Sequence, residues 1–293
     1  MKGIVLAGGH GRRMEPITRA TSKQLLPVYD KPLIYYSMSS LLSAGIQDIL
    51  IISKPEHLAG FEALFGDGSQ LGLSISYAPQ PLRGGIAEAF IIGKDFIGKD
   101  TVALALGDNI FYGSGFTELL EDAKQNANNG YATLFGYRAE HPENFGVIGF
   151  DKDQNVISLE EKPLDPKSNT VVTGLYFYDN RVVDFAADLA PSTNGELEIT
   201  DLNRRYLEEG ALKVERLAQD FAWFDTGTVD SLFNVSEFIR VVQNNTGVKV
   251  AALEEVAYNK GWIRRAQLLK LADQLKRTEY GRYLEKIALT TRR

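Results

Sequence analysis

The sequence contains no cysteine among its 293 residues. This absence excludes disulfide bonds, thiolate catalysis and cysteine-based zinc sites. The sequence also has no apolar run of membrane-spanning length, and the apolar run at the start, residues 1–7, is too short for the core of a signal peptide. We therefore expect a cytoplasmic protein with no membrane partner.

The sequence has fewer basic than acidic residues, 32 Lys and Arg against 38 Asp and Glu, so the formal net charge is −6 at pH 7. Proteins that bind nucleic acid usually carry a broad basic excess that displaces counterions, so we expect no nucleic-acid partner. A positive site in this chain must be local. Arg12, Arg13 and Lys23 form the most concentrated group of cations near the start of the sequence.

What the sequence does contain, in its first half, is an alternation of short apolar runs with amphipathic stretches. This βαβ rhythm predicts a parallel sheet with helices on both faces. The predicted strands are Ile4–Leu6, Ile49–Ile52, Leu73–Tyr77 and Val102–Leu106, and the predicted helices are Leu33–Ser43, Leu58–Phe65, Ile86–Phe96 and Phe116–Asn126.

Turn-rich segments then separate further strands, which indicates antiparallel pairing. The sequence as a whole predicts an α/β fold: a Rossmann-like, three-layer, mixed and mainly parallel sheet with a small helical C-terminal extension. The segment Asn244–Gly247 is the best boundary, which divides the chain into a core of residues 1–243 and an extension of residues 244–293. The later predicted strands are Ala132–Arg138, Val147–Phe150, Val156–Glu160 and Val172–Tyr178, and the later helices are Arg181–Leu189, Ile199–Glu209, Val229–Gln243 and Ala266–Leu275.

A glycine-rich turn with two arginines, "LAGGHGRRM", follows the first strand. Gly8, Gly9 and Gly11 can adopt a positive φ and let backbone N–H groups approach a phosphate, while Arg12 and Arg13 can pair with phosphate oxygens. The glycines alone are equally compatible with a tight turn that binds nothing. The spacing matches neither a Walker A loop nor a dinucleotide fingerprint, so the loop suits a polyphosphate held in another way.

Two aspartates each follow an apolar run: Asp108 in "LALGDNIFYG" and Asp225 in "FAWFDTGT". Carboxylates from separate strand ends can share Mg²⁺, which takes a few protein oxygens plus phosphate and water oxygens. Each aspartate alone could equally be a turn or capping residue. Strand alternation places Glu161 and Lys162 on opposite faces, unless the strand ends there and Pro163 turns both toward one pocket; the spacing leaves both readings open.

Long stretches of the chain resemble the sugar nucleotidyltransferases, and within them the glucose-1-phosphate thymidylyltransferases. The resemblance runs in family order from residue 2 to the C-terminal region. It is carried by "KGIVLAGGHGRRMEPITRATSKQLLPVYDKPLIYYS", "YAPQPLRGGIAEAFIIG", "LALGDNIFYG", "PENFGVIGFD", "SLEEKP", "VTGLYFYDN", "GELEITDLNRRYLE" and "FAWFDTGTVDSL".

The resemblance implies a transfer of a nucleotidyl group from dTTP to glucose 1-phosphate, with Mg²⁺, in a homotetramer. In such an enzyme a substrate phosphate oxygen attacks the α-phosphorus in line, so catalysis is mostly alignment and charge neutralisation. The implied catalytic residues are Arg13, Lys23, Lys162 and the metal ligands Asp108 and Asp225; the implied nucleotide-binding residues are Leu6, Gly8, Gly9, Gly11, Arg12, Arg13, Lys23, Gln80, Gly85 and Asp108; the implied sugar-binding residues are Asn109, Gly146, Glu161, Lys162 and Val172.

The chain departs from the family pattern at several of these stretches. His10 and Arg12 replace a serine and a threonine in the phosphate loop, and "PLRGGIAEAF" replaces the more usual "PSPDGLAQAF", which places Glu88 where glutamine is common. These changes leave open a preference for UTP, another hexose 1-phosphate, or a sensor without turnover. Asn259 stands where arginine is common in a region that resembles the family's regulatory site, so we expect weakened feedback inhibition.

Overall fold

The computed structural model describes residues 1–9, 11–80 and 84–290. Its strands are short, and those at the centre of the main sheet are mostly buried, as the apolar runs of the sequence predict. The strands in this part of the chain are β1 (Lys2–Ala7), β2 (Pro27–Val28), β3 (Lys31–Pro32), β4 (Asp48–Ser53), β5 (Ser74–Pro79), β6 (Val102–Leu106), β7 (Asn109–Tyr112), β8 (Ala132–Arg138), β9 (Gly146–Phe150), β10 (Val156–Glu161), β11 (Thr170–Tyr178), β12 (Leu212–Arg216) and β13 (Ala222–Asp225).

The helices connect these strands and form the C-terminal end of the described chain. None of the helices within residues 1–9, 11–80 and 84–290 is long and apolar enough to cross a bilayer. The helices are α1 (Ile34–Ser43), α2 (Pro55–Phe65), α3 (Glu88–Ile92), α4 (Lys94–Ile97), α5 (Phe116–Asn128), α6 (Val182–Ala187), α7 (Ile199–Glu208), α8 (Val229–Thr246), α9 (Leu253–Asn259), α10 (Arg265–Gln274) and α11 (Glu279–Thr290).

Within the part of the chain that the structure describes, nine strands form one mixed sheet with β1 near its centre. The strands β5, β4, β1 and β6 are neighbours in that order and run parallel, with Ile4 opposite both Leu50 and Leu104. Beyond β6 most pairings are antiparallel: β11 pairs antiparallel with β6, β8 and β9. Strand β12 then pairs with β8 in parallel. The predicted α/β, Rossmann-like mixed sheet is confirmed.

The sheet has a hydrophobic core on each face, which makes the fold three-layered. Neighbouring residues of β1 point to opposite faces: Val5 belongs to one core and Ile4 to the other. The first core contains residues of α1, α2 and α5, and also Leu253, Leu268 and Leu284 of the C-terminal helices. The second contains residues of α3, α6 and α7. The C-terminal helices therefore pack on the same core as the first strand.

A second, two-stranded antiparallel sheet is formed by β7 and β13. Its register sets Asp225 opposite Asn109 and Ala222 opposite Tyr112. The sequence predicted neither strand, because each has four residues and begins or ends at a polar residue rather than showing a clear alternation. This small sheet places Asp225 near the carboxyl end of β6.

Several predicted helices have different bounds in the structure. The predicted helix Ile86–Phe96 is two short helices that meet at Gly93, whose backbone N–H donates to Ala89 O at 2.9 Å before α4 begins. Glycine weakens a helix interior because of its backbone entropy. Helix α8 continues beyond the predicted end to Thr246 and is capped by Gly247, which has a φ of 69°. The division into residues 1–243 and 244–293 stays a prediction.

Candidate active site

A cavity of about 800 Å³ opens beside the carboxyl end of β6. This is the edge of an open parallel sheet at which ligands bind. The cavity brings together residues from both halves of the chain that the sequence assigned to different roles. The predicted site residues that line it are Arg13, Asp108, Asn109, Gly146, Glu161, Lys162, Val172 and Asp225.

Asp108 lies in the tight connection between β6 and β7. Its carboxylate accepts hydrogen bonds from Lys23 Nζ and, at 3.0 Å, from Asn109 Nδ2. Burial opposes ionisation of this carboxyl group, but the charge and hydrogen bond of Lys23 and the hydrogen bond from Asn109 outweigh burial and lower the pKa of Asp108. Lys23 does not line the cavity directly; it reaches the site through this buried ion pair.

Asp225 ends β13 and is held beside Asp108 by the following residue. Thr226 donates to the carbonyl oxygen of Asp108 through both its hydroxyl group, at 2.8 Å, and its backbone N–H, at 3.2 Å. Burial and the negative charge of Asp108 raise the pKa of Asp225 to about 6, although the positive charges of Lys23 and Arg13 oppose the shift. The two aspartates predicted from separate strand ends therefore converge.

This pair of carboxylates fits a hard divalent cation. Both side chains offer oxygen ligands, and the pKa of Asp225 is raised by burial and by repulsion from Asp108, which a cation would relieve. Across residues 1–9, 11–80 and 84–290 no cluster of three or more His, Cys, Asp or Glu side chains could hold a metal ion. A cation at Asp108 and Asp225 would therefore take its other ligands from water and substrate, as Mg²⁺ commonly does.

The glycine-rich loop lies next to the cavity, although its glycines do not line it. Gly11 has a φ of 58°, and Thr18 Oγ1 donates to its carbonyl oxygen at 2.8 Å. The loop leads into a short 3₁₀ helix, Arg12–Met14, from which Arg13 reaches the cavity beside Gly227. Arg12 is exposed and is not among the lining residues, and His10 lies outside the described residues.

Gln80, Gly8 and Gly85 form a second group of predicted residues, also outside the lining of the cavity. Gln80 Nε2 donates to the carbonyl oxygen of Gly85 at 3.2 Å, and a Cβ atom on Gly8 would lie only 2.5 Å from Gln80 Oε1. Gly85 has a φ of 84°. Leu6 lies in β1, just before the glycine-rich loop, and its carbonyl oxygen accepts from Gly107 N at 2.9 Å.

Glu161 and Lys162 lie on the same side of the chain, which answers the question that strand alternation left open. Strand β10 ends at Glu161, and Lys162 has a φ of 42°. Lys162 Nζ thus contacts Glu161 Oε1 at 2.6 Å. Partial burial lowers the pKa of Lys162, but hydrogen bonding and attraction to Glu161 outweigh it and raise that pKa. Gly146 lies opposite Glu161 in the β9–β10 register.

Sequence reasoning gave no role to three residues that support this site. Thr200 Oγ1 donates to Glu161 Oε2 at 2.5 Å. Trp223 Nε1 donates to Asn109 Oδ1 at 2.7 Å, and its ring packs against Phe145. Thr226 donates two hydrogen bonds to the carbonyl oxygen of Asp108. Each of the three lies in or beside a stretch that carries the resemblance, "GELEITDL" or "FAWFDTGT", and this is the signal that could have identified them.

Comparison with known proteins places this site in a family. The model of the nucleotidyl transferase family matches residues 2–241. The chain belongs to the nucleotidyl transferase family. The resemblance found in the sequence is thereby confirmed, since the match covers the phosphate loop, Asp108, Lys162 and Asp225 in one continuous region.

This nucleotidyl transferase is similar to curated relatives along nearly its whole length. A glucose-1-phosphate thymidylyltransferase of Neisseria meningitidis serogroup A is 55% identical over 284 residues, which cover 97% of this chain and 98% of the relative. One of Xanthomonas campestris pv. campestris is 52% identical over 287 residues, with 98% and 97% covered.

Solved structures share the fold of this nucleotidyl transferase. A structure from Bacillus anthracis, described as a glucose-1-phosphate thymidylyltransferase with sucrose, has a TM-score of 0.75 and 40% identity and covers 82% of this chain and 95% of its own. A UDP-glucose pyrophosphorylase with UDP-glucose, at 22% identity and a TM-score of 0.72, covers 82% of this chain and 98% of its own and is alike in fold.

Proposed function

We propose that this nucleotidyl transferase makes dTDP-glucose and pyrophosphate from dTTP and glucose 1-phosphate. The observation that carries the proposal is the convergence of Arg13, Lys162, Asp108 and Asp225 on one cavity. Two cations and a pair of acids suit two phosphate-bearing substrates and a divalent metal. The relatives that are similar to this chain over nearly its full length are named glucose-1-phosphate thymidylyltransferases, and these names support thymidylyl transfer to glucose 1-phosphate.

The reaction needs no nucleophile from the protein. An oxygen of glucose 1-phosphate attacks the α-phosphorus of dTTP and forms a new P–O bond, while the bond from that phosphorus to the bridging oxygen breaks. Pyrophosphate leaves with the electron pair. Catalysis then consists of aligning the two substrates and stabilising the negative charge that develops on the phosphoryl oxygens.

The nucleotide half of the site is proposed to hold dTTP through the backbone of Gly8, Gly9 and Gly11. Arg13, which lines the cavity, binds the triphosphate. Lys23 forms an ion pair with Asp108, and its positive charge also attracts the phosphates. A fixed cation of this kind stabilises the transition state because it needs no reorganisation during the reaction. Arg12 and Leu6 would flank the loop, and Gln80 and Gly85 would meet the edge of the base.

The sugar half is proposed to hold glucose 1-phosphate through Lys162 on the phosphate and Glu161 on the hydroxyl groups. Thr200 orients Glu161, because its hydroxyl group donates to one carboxylate oxygen. Gly146, Val172 and Asn109 complete the wall. The absence of a side chain at Gly146 leaves space beside Glu161, since a Cβ atom there would lie 3.5 Å from Glu161 Oε2.

A divalent cation is typical of this family, and we propose that it is Mg²⁺ held by Asp108 and Asp225. When bound, it would offset charge on the phosphate oxygens of the nucleotide. The two acids fit this role, because both line one cavity and the negative charge of Asp108 acts on Asp225. A homotetramer, a cytoplasmic location and the absence of a nucleic-acid partner are further parts of the proposal.

The proposal is tested by a panel of substrates. The purified protein is incubated with Mg²⁺ and with either dTTP or UTP, together with either glucose 1-phosphate or N-acetylglucosamine 1-phosphate; pyrophosphate release is followed and the product is identified by mass. We expect dTDP-glucose as the preferred product. Preference for UTP or for the acetylated sugar would reassign the substrate, and binding without turnover would indicate a sensor.

A further inference from the structure

The side chain of Gln80 is held by two acceptors at the end of β5. Its Nε2 atom donates to Glu88 Oε2 at 2.7 Å and to the carbonyl oxygen of Gly85 at 3.2 Å. Gln80 is only 8% exposed, so water has little access to its amide group and does not replace these two hydrogen bonds. Glu88 begins α3 and reaches back to this amide.

These two contacts fix which way the amide group of Gln80 faces. An ionised carboxylate and a backbone carbonyl oxygen can only accept hydrogen bonds, so both require the NH₂ end of the amide. The carbonyl end, Oε1, must then face the other way, toward Gly8, where a Cβ atom would be 2.5 Å from it. Gln80 therefore presents an acceptor, not a donor, toward the glycine-rich loop.

Gly84 provides the space that Glu88 occupies. A Cβ atom on Gly84 would lie 1.9 Å from the carboxyl carbon of Glu88 and 2.0 Å from its Oε2. The more usual family pattern, "PSPDGLAQAF", has aspartate and glutamine at these two positions. An aspartate at position 84 would overlap Glu88 and repel it, so glycine and glutamate form a matched pair in this chain.

We propose that Glu88 is a positioning residue that holds the Gln80 amide with Oε1 toward the base, and so favours thymine or uracil over cytosine. The proposal rests on the proposed function, in which Gln80 meets the base edge. N3 of thymine and uracil carries a hydrogen that Oε1 can accept, whereas N3 of cytosine is itself an acceptor. A site built to pair with one edge rejects the other strongly, because its buried polar group is left unpaired.

The test compares kcat/KM for dTTP and for dCTP in the wild type and in Glu88→Gln. The new amide can donate as well as accept, so Gln80 is no longer fixed, and we expect the preference for dTTP to fall about five- to tenfold, the scale of one hydrogen bond. Gly84→Ala, at a position without a positive φ, should displace the Glu88 carboxylate and have the same effect. Thermal unfolding establishes that both variants fold.

A double-mutant cycle separates positioning from a general structural effect. In a Gln80→Ala background, Glu88→Gln should leave the ratio of dTTP to dCTP unchanged, because the amide through which it acts is gone. An unaltered ratio in the single variant, or an equal change in both backgrounds, would overturn the role of Glu88 while leaving the function intact. A wild type that turns over neither dTTP nor UTP would overturn the proposed function and this role together.

Discussion

Asp225 stands opposite Asn109 in the two-stranded sheet, and this register brings its carboxylate close enough to Asp108 for the two charges to interact. The two acids respond in opposite directions. The pKa of Asp108 is lowered, because Lys23 and Asn109 outweigh the burial of its carboxyl group, and burial with the charge of Asp108 raises the pKa of Asp225 to about 6. The negative charge of Asp108 is therefore neutralised by its ion pair with Lys23, whereas Asp225 has no such ion pair within the described residues.

We predict that Asp225→Asn stabilises the protein while it removes activity. The pKa of Asp225 is raised from 3.8 to about 6, so the folded protein binds more protons than the unfolded chain between these pH values. The contribution of Asp225 to stability is thus complete below about pH 4 and declines as pH rises to 6. At pH 8 without metal, the free energy of unfolding of the variant should exceed that of the wild type by up to about 3 kcal/mol.

Chemical denaturation in EDTA at pH 4 and pH 8 measures this difference. The difference between the two proteins should shrink at the lower pH, where Asp225 is protonated in the folded wild type and partly protonated in the unfolded chain. A variant that is less stable than the wild type at pH 8 would show that the carboxylate of Asp225 is not destabilising.

The opposite result is expected for Asp108→Asn. The Lys23 side chain is 8% exposed and would lose its ionic partner. Breaking a buried pair on one side leaves an uncompensated charge and costs about 3 kcal/mol or more. Because the pKa of Asp108 is lowered, its contribution is present above the ordinary aspartate pKa and is lost on acidification. Denaturation at pH 7 should show the loss; a variant as stable as the wild type would contradict the ion pair.

The sequence predicted the strands of the parallel half from their apolar runs, and it singled out Asp108 and Asp225 because each follows a short apolar run. It could not predict how the β7–β13 register joins the two acids, since four-residue strands show too little alternation. Likewise, the side on which Lys162 lies depends on its φ of 42°, which no spacing reveals. The contacts of Thr200 and Trp223 with Glu161 and Asn109 are set by tertiary packing between segments distant in sequence.

Replacing Lys162 tests the sugar-phosphate half of the site. Lys162→Gln removes a cation that we assign to the phosphate of glucose 1-phosphate, so KM for that substrate should rise by about 30- to 100-fold, the scale of a charged hydrogen bond. KM for dTTP should change little. Lys152→Gln, the same substitution at an exposed turn, serves as the control; equal effects of both variants would argue against a specific phosphate contact.

Thr200→Val tests whether Thr200 orients Glu161. Loss of the 2.5 Å hydrogen bond frees the carboxylate, and KM for glucose 1-phosphate should rise about five- to tenfold. Thr133→Val is a matched control away from the cavity, because the buried Thr133 hydroxyl has no hydrogen-bond partner in the described part of the chain. Steady-state kinetics with both substrates distinguish the variants. An unchanged KM in Thr200→Val would remove the proposed role.

The most direct test of the whole account follows the α-phosphorus of dTTP through the reaction. Wild type, Asp108→Asn and Asp225→Asn are incubated with dTTP labelled at the α-phosphate, glucose 1-phosphate and Mg²⁺, and the products are separated. We expect the wild type to transfer the label to dTDP-glucose and to leave pyrophosphate unlabelled, and each variant to be slower by about a hundredfold or more. Label in pyrophosphate, or transfer at a near wild-type rate by either variant, would contradict the proposed transfer.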